Sequence, residues 1–327
     1  MTSSEQPKPA GKSMSRRFAW LAAAILAGIG LYTAGWFWAA DRLESETARL
    51  VARLRADGKE ADCTRATARG YPFRIGLYCD GIAFADPPQG LSVSGTGLRS
   101  AAQIYQPLRV VGELDTFAAD IIAPAGGLRT TARDLRFSTR LARPLPELVS
   151  IQSNAIVVSD IDDRPLANAP SGAIHARIRG ADLDIAGNLK SLMTQMIAGL
   201  PPVDLDADVT VLDGAAKLQA RAQSLRGIDA EIRTLSANAP DGGASISGKA
   251  AVDADGLVDA TLEVSVRNPS AVAKHLATAM PELAPDIARY GRFIAAMGDN
   301  PKIPIAIVKG DVKLGIFTIG RVPPVPQ

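Results

Sequence analysis

Residues 18–40 carry no charge, with Phe18 first and Ala40 last, and the run lies between Arg17 and Asp41. As a helix rising 1.5 Å per residue, these 23 residues reach roughly 34 Å, enough to cross a hydrocarbon core of about 30 Å. Beyond it Leu43, Leu50, Val51 and Leu54 recur at helical spacing among charged residues, which predicts a juxtamembrane helix over 41–58. After Gly70 the texture changes to short runs broken by Gly, Pro, Asn and Asp. Alternation over 73–78, 91–93, 128–139 and 151–158 predicts strands.

The clearest alternation lies between 203 and 267. Val203, Leu205, Ala207, Val209 and Val211 alternate with Asp204, Asp206, Asp208 and Thr210, and Asp213-Gly214 follows. That dipeptide suits a two-residue hairpin turn, which would set Val209 opposite Leu218, Val211 opposite Ala216 and Asp206 opposite Arg221. A second hairpin centres on Asp255-Gly256. A three-residue loop with Gly256 left-handed would pair Val252 with Ala260, Ala250 with Leu262 and Lys249 with Glu263. Residues 228–235 supply a strand between the two.

Helical spacing of Leu189, Leu192, Met193 and Met196 predicts a helix over 188–199, capped by Asn188. Asn268-Pro269 is a cap-plus-first-turn pair for a helix through Met280. A further helix over 285–297 places Ile287, Tyr290, Phe293, Ile294 and Met297 on one face. Residues 303–308 and 312–319 bracket Gly310-Asp311 as a last hairpin, and the Pro-rich end, 322–327, should be extended. The expected fold is mainly β (α+β), with extended antiparallel meander sheets and a few packed helices after one transmembrane helix. The expected division is a cytoplasmic tail (1–17), the transmembrane helix (18–40), a juxtamembrane helix (41–58) and one periplasmic β-rich domain (59–327).

Charge separates the two parts. Residues 1–40 hold four Lys+Arg and one Asp+Glu, whereas the other 287 hold 32 and 33. The positive flank of Lys8, Lys12, Arg16 and Arg17 predicts a cytoplasmic N-terminus at a bacterial inner membrane, with the main domain in the periplasm. The near-neutral remainder gives no basic patch for nucleic acid. All three Trp (Trp20, Trp36, Trp38) fall in the span, as do six of the 16 aromatics, matching the headgroup preference of amphipathic rings. A cleaved signal peptide would have a shorter apolar region and a small-residue cleavage site; this run is longer and ends in Trp-Phe-Trp. In an oxidising compartment Cys63 and Cys79 most simply pair, closing a short loop; the alternative is two buried free thiols.

Candidate chemistry is thin. Asp204, Asp206 and Asp208 share one strand face, but Val209 and Ala215 stand where a calcium loop needs Gly and Glu, so the comb reads as a solvated face. Asp253 and Asp255 fit a hairpin turn better than a metal loop. Gly95-Thr96-Gly97 lacks the rest of a dinucleotide fingerprint, and Ser92 sits in a GxSxG pattern broken by Ser94. His175 and His275 have no evident nucleophile or carboxylate context. No catalytic, cofactor-binding or metal-ligating set emerges.

Gly70-Tyr71-Pro72-Phe73-Arg74-Ile75 running into Cys79-Asp80-Gly81, together with Leu98-Arg99-Ser100, Tyr105-Gln106-Pro107 and Val110-Val111-Gly112-Glu113-Leu114, resembles an uncharacterised Gram-negative envelope family, domain of unknown function twenty-one twenty-five. The resemblance implies a single-span envelope protein and supplies no activity. The strand–hairpin texture ending in Gly315-Ile316-Phe317 resembles, more weakly, AsmA-like envelope proteins, which implies an elongated β-rich fold linked to lipid handling. Two functions are expected from these features. One is binding or handling of lipid, phospholipid for example, by an apolar sheet face. The other is a scaffold meeting envelope proteins through a sheet edge or the Pro-rich end. An envelope hydrolase would need a polar pocket with convergent carboxylates or a His.

Overall fold

The computed structural model describes residues 12–123, 126–197, 199–220 and 224–326; residues 1–11 of the expected tail and Arg221 of the expected first hairpin lie outside them. Helix α1 (Lys12–Ala56) is continuous, with no break at Asp41, and it is long and apolar enough to cross a membrane. It ends before Gly58, whose φ of 77° turns the chain back on itself.

The chain then enters β1 (Glu60–Thr64), β2 (Thr67–Arg69), β3 (Arg74–Asp86), β4 (Leu91–Gln103), β5 (Gln106–Ala123), β6 (Gly126–Arg140), β7 (Leu148–Asp160), β8 (Pro165–Arg179), β9 (Asp182–Thr194) and β10 (Val203–Val211). After the short helix α2 (Gly214–Gln219) come β11 (Ile228–Asn238), β12 (Gly243–Val252), β13 (Val258–Arg267), α3 (Pro269–Ala279), α4 (Ala284–Ala295), β14 (Lys302–Val308), β15 (Asp311–Leu314) and β16 (Phe317–Arg321). All sixteen strands belong to one antiparallel sheet. Its order follows the chain from β1 to β16, except that β2 pairs beside β1 on the same edge of β3.

Period-two alternation explains why the strands form and gives the sheet two unlike faces. On one face Phe84 pairs with Val93, Val93 with Ala119, Leu114 with Leu135 and Phe137 with Ile151. The same face continues through Ile246 with Val264 and Leu262 with Ile305. On the other face Arg99 bridges Glu113 and Asp115, Arg129 bridges Asp120 and Asp163, and Arg233 bridges Asp208 and Asp184.

No large side chain among the described residues is fully buried, and the chain exposes 21533 Å². A compact monomer of 34.2 kDa would expose roughly 12,900 Å². The isolated span of α1 supplies part of the excess. The rest reflects a one-layer sheet whose apolar side the described residues leave largely uncovered.

Several expectations change. Residues 188–194 continue β9 rather than starting a helix. Ser191 is left-handed at 47° and the pairing with β10 shifts there. The resulting bulge places Leu189 and Leu192 on one face three residues apart, which imitates helical spacing. Asp213 is also left-handed, but it leads into α2 instead of a hairpin, with the N–H groups of Ala216 and Lys217 bonded to its carbonyl. Val209 therefore faces Ile232 and Val211 faces Ala230, not Leu218 and Ala216. Ala-Ala-Lys-Leu-Gln is a good helix-forming stretch, and its local preference prevails.

At Asp255-Gly256 the loop spans five residues, closed by Asp253 N–H to the carbonyl of Leu257 at 2.9 Å. Asp253 Oδ1 also accepts from the N–H groups of Asp255 and Leu257. Gly256 is left-handed as expected, at 85°, but Val252 meets Val258 and Ala250 meets Ala260. The slip of two residues preserves which side chains share a face. The last turn uses Lys309 and Gly310, and Val312 to Ile319 divides at Gly315 into β15 and β16.

Candidate functional site

Two rows of side chains cross the apolar face from β7 to β12. The first runs Ile151, Ile174, Gly187, Ala207, Leu235, Ile246, each paired with the next across adjacent strands. The second runs Ser153, Gly172, Leu189, Leu205, Ala237, Ala244. Both line a single cavity of about 660 Å³. Strands about 4.8 Å apart would separate β7 from β12 by roughly 24 Å if the sheet were flat. One open cavity touching all six makes this part of the apolar face a shallow trough. Left-handed residues at Asp134, Ala155 and Ser191, beside register shifts, supply local bends.

The cavity has a distinct chemistry. Ser153 is the one residue in the two rows with a polar side chain; Asn188, Asp206 and Ser236 also line the cavity, from positions that strand alternation turns toward the other face. Gly172, Gly187, Ala207, Ala237 and Ala244 keep the floor low. A methyl group on Gly172 would stand 2.6 Å from Leu189 Cδ2 and 2.8 Å from Ile156 Cδ1, so the glycine preserves depth. The volume lies within the range of small-molecule sites, while Ile174 in the middle of the first row stays 50% exposed.

The helices do not roof this groove. Asn268 caps α3 through its side chain, and His275 Nε2 lies 2.8 Å from Asp241 Oδ1 in the β11–β12 turn. This fixes α3 against one end of β12 and β13. Helix α4 packs on α3, where Gly291 sits against Ala273. Tyr290 and Phe293 of α4, and Met297 just beyond it, remain exposed.

The remaining sequence candidates resolve into structure. Asp204 and Asp206 receive Lys190 Nζ, each at 3.3 Å, and Asp208 receives Arg233. Hydrogen bonding from Arg233 holds the Asp208 carboxyl below the usual range, and Arg129 does the same for Asp120. His175 Nδ1 lies 2.8 Å from Ser150 Oγ, directly across the β7–β8 ladder. Sequence reading missed this pair because partners 25 residues apart meet only through register. No carboxylate bonds to His175 among the described residues. Cys63 and Cys79 form a disulfide, with Cα atoms 5.4 Å apart, between β1 and β3. It fixes the sheet edge where β1 gives way to β2.

The model of a family described as an uncharacterized protein conserved in bacteria (DUF2125) matches residues 36–323. No curated protein and no solved structure matches the chain, so the likeness to AsmA-like proteins has no matching structure behind it.

Proposed function

The chain belongs to this DUF2125 family, and we propose that it is a membrane-anchored envelope protein that holds lipid acyl chains in its sheet groove. One observation carries the reading: a concave apolar cavity of about 660 Å³, lined by six consecutive strands and left uncovered by α3 and α4. An apolar face of this extent in contact with water is unfavourable by roughly 25 cal/mol per Å², so an apolar occupant is the natural complement. The predominance of Ile, Leu, Ala and Gly in the lining, with Asn188, Asp206 and Ser236 alternating toward the other face, favours hydrocarbon over a polar ligand. In this reading α1 spans the inner membrane with its Lys- and Arg-rich flank in the cytoplasm, and the sheet lies in the periplasm. Full-length protein transferred from detergent to amphipol and measured by native mass spectrometry should retain phospholipid, and Ala207→Trp should lose it. Equal lipid retention by both would count against the groove.

A second reading rests on the free edge. Every residue of β16 is exposed, and Ile316, Phe317 and Ile319 project from this end of the sheet at 89%, 70% and 58% exposure. Such an edge can accept a partner strand. The Pro-rich end is engaged within the chain, since Val325 N–H donates to the Gly256 carbonyl and Arg226 donates to the Val325 carbonyl. Photocrosslinking from Ile319 in intact cells would recover a protein partner if the edge is used, and none if it is not.

A further inference from the structure

The loop before β3 reaches back along α1 to a depth that the helix itself defines. Tyr71 Oη lies 2.8 Å from Thr33 Oγ1, and the hydroxyl of Tyr32 donates to the Pro72 carbonyl. Tyr71 also stacks on Phe37 with ring centroids 6.0 Å apart. Tyr32 precedes Asp41, the first charge after the span, by nine residues, or about 13 Å of helix. A segment fastened to Tyr32 and Thr33 is therefore held beside the apolar part of α1, below the level where charge begins.

From that loop an exposed apolar rim runs along the same end of the sheet. Phe73 is 71% exposed, Tyr105 72% and Leu108 61%, with Ile104 and Leu141 beside them. The residues are contiguous: Ile104 N–H bonds to the Phe73 carbonyl and Leu141 N–H to the Leu108 carbonyl. By strand alternation Phe73 continues the Ile75–Leu77 face, Leu108 the Val110–Gly112 face and Leu141 the Phe137–Thr139 face. All extend the apolar side of the sheet, which passes through Phe137 and Ile151 into the groove. Four adjacent strands make the rim roughly 15 Å wide.

Charge complements this apolar edge. Arg74 and Arg109 line a recess of about 200 Å³ with Gln103 and Gln106 just behind the rim. Arg109 stands directly opposite Arg140 across the β5–β6 ladder. Neither Arg74 nor Arg109 forms an ion pair among the described residues, so the recess presents positive charge to an incoming anion. Apolar and aromatic side chains at the tip with arginines one step behind match the layering of a phospholipid surface, hydrocarbon below and phosphate above.

We propose that this rim is a second membrane contact, dipping into the outer leaflet beside α1 and opening the groove directly to phospholipid. The inference rests on α1 spanning the bilayer, and it gives the groove its source of ligand. It differs from anchoring alone, because a tethered domain could stand clear of the membrane.

The test uses full-length protein in nanodiscs of phosphatidylethanolamine and phosphatidylglycerol. The two native cysteines are disulfide-bonded, so single added thiols can carry an environment-sensitive dye. Positions are Tyr105→Cys at the rim, Asn300→Cys at the opposite end of the sheet and Ile29→Cys within α1. Lipids with a spin label near the headgroup should quench the dye at 105 several-fold more than at 300, with a blue-shifted emission. Spin labels deep in the acyl chain should quench the dye at 29. Equal quenching at 105 and 300, with 29 deep, would overturn the rim contact and leave the anchor standing. Failure at 29 would overturn the anchor and the inference with it. Phe73→Asp with Tyr105→Asp should reduce quenching from a dye at Leu108→Cys and leave quenching at 29 unchanged; unchanged quenching at 108 would also contradict the proposal.

Discussion

The indole N–H of Trp36 donates to the carbonyl oxygen of Arg74 at 2.9 Å, which fastens the apolar helix to the first long strand. Trp36 is 7% exposed whereas Trp38, two residues on, is 70% exposed. Trp38 is free of the sheet, whereas Trp36 is a docking residue for it, and its ring also meets Tyr71 edge-on at 5.5 Å. The family match begins at this residue.

Trp36→Phe should keep most of the packing and lose the hydrogen bond, costing about 1 kcal/mol. Trp36→Ala should cost about 3–5 kcal/mol, and Trp38→Ala should stay within about 0.5 kcal/mol. Urea denaturation of the full chain in nanodiscs, followed by circular dichroism of the β signal, checks the order.

Replacing both Cys63 and Cys79 with Ser releases a loop with a sequence separation of 16, which should destabilise the chain by about 3 kcal/mol. Because the bridge fixes the edge where β1 and β2 meet β3, early proteolysis should appear between residues 60 and 75. Mass mapping of the first cleavage products measures this.

Gly172→Val and Ala207→Trp should each fill the groove floor. The backbone should remain paired, with an overpacking cost of about 1–3 kcal/mol, while lipid retention falls. A valine at Thr234, which pairs with Asp208 on the charged face and does not line the cavity, should leave retention unchanged. Phosphate analysis of purified full-length variants distinguishes the two faces.

Asp120 and Asp208 have carboxyls held below the usual range by Arg129 and Arg233. A depressed folded pKa stabilises the fold above the unfolded value of about 3.9 and loses that contribution as pH falls through the folded value. Thermal stability should therefore be flat from neutral pH to about pH 5 on this account, then fall below about pH 4. Arg129→Met should flatten the acid limb. Melting curves between pH 7 and pH 3 measure both.

Local signals were legible in the sequence, and cross-strand ones were not. Asn268-Pro269 announced α3 because a cap and its helix are neighbours in the chain. Alternation from Val203 to Val211 announced β10 for the same reason. The partner of β10 was misjudged because Asp213-Gly214 carries hairpin chemistry while the following residues favour a helical turn. The strand β9 was misjudged because the bulge at Ser191 turns period two into period three at one point. The groove itself was visible only as a set of alternating strands. Its concavity depends on bulges and on small residues such as Gly187 and Ala207, which meet only once the register is set.

A groove that holds hydrocarbon would be labelled by a photoactivatable acyl chain. Full-length protein in nanodiscs containing a phospholipid with a photoactivatable acyl chain would be irradiated, digested and mapped by mass spectrometry. Adducts are expected on the groove rows of β7 to β12, at Ile174, Leu205 and Leu235 among others, in addition to α1. Adducts confined to α1, with the groove rows unlabelled, would contradict hydrocarbon occupancy of the groove.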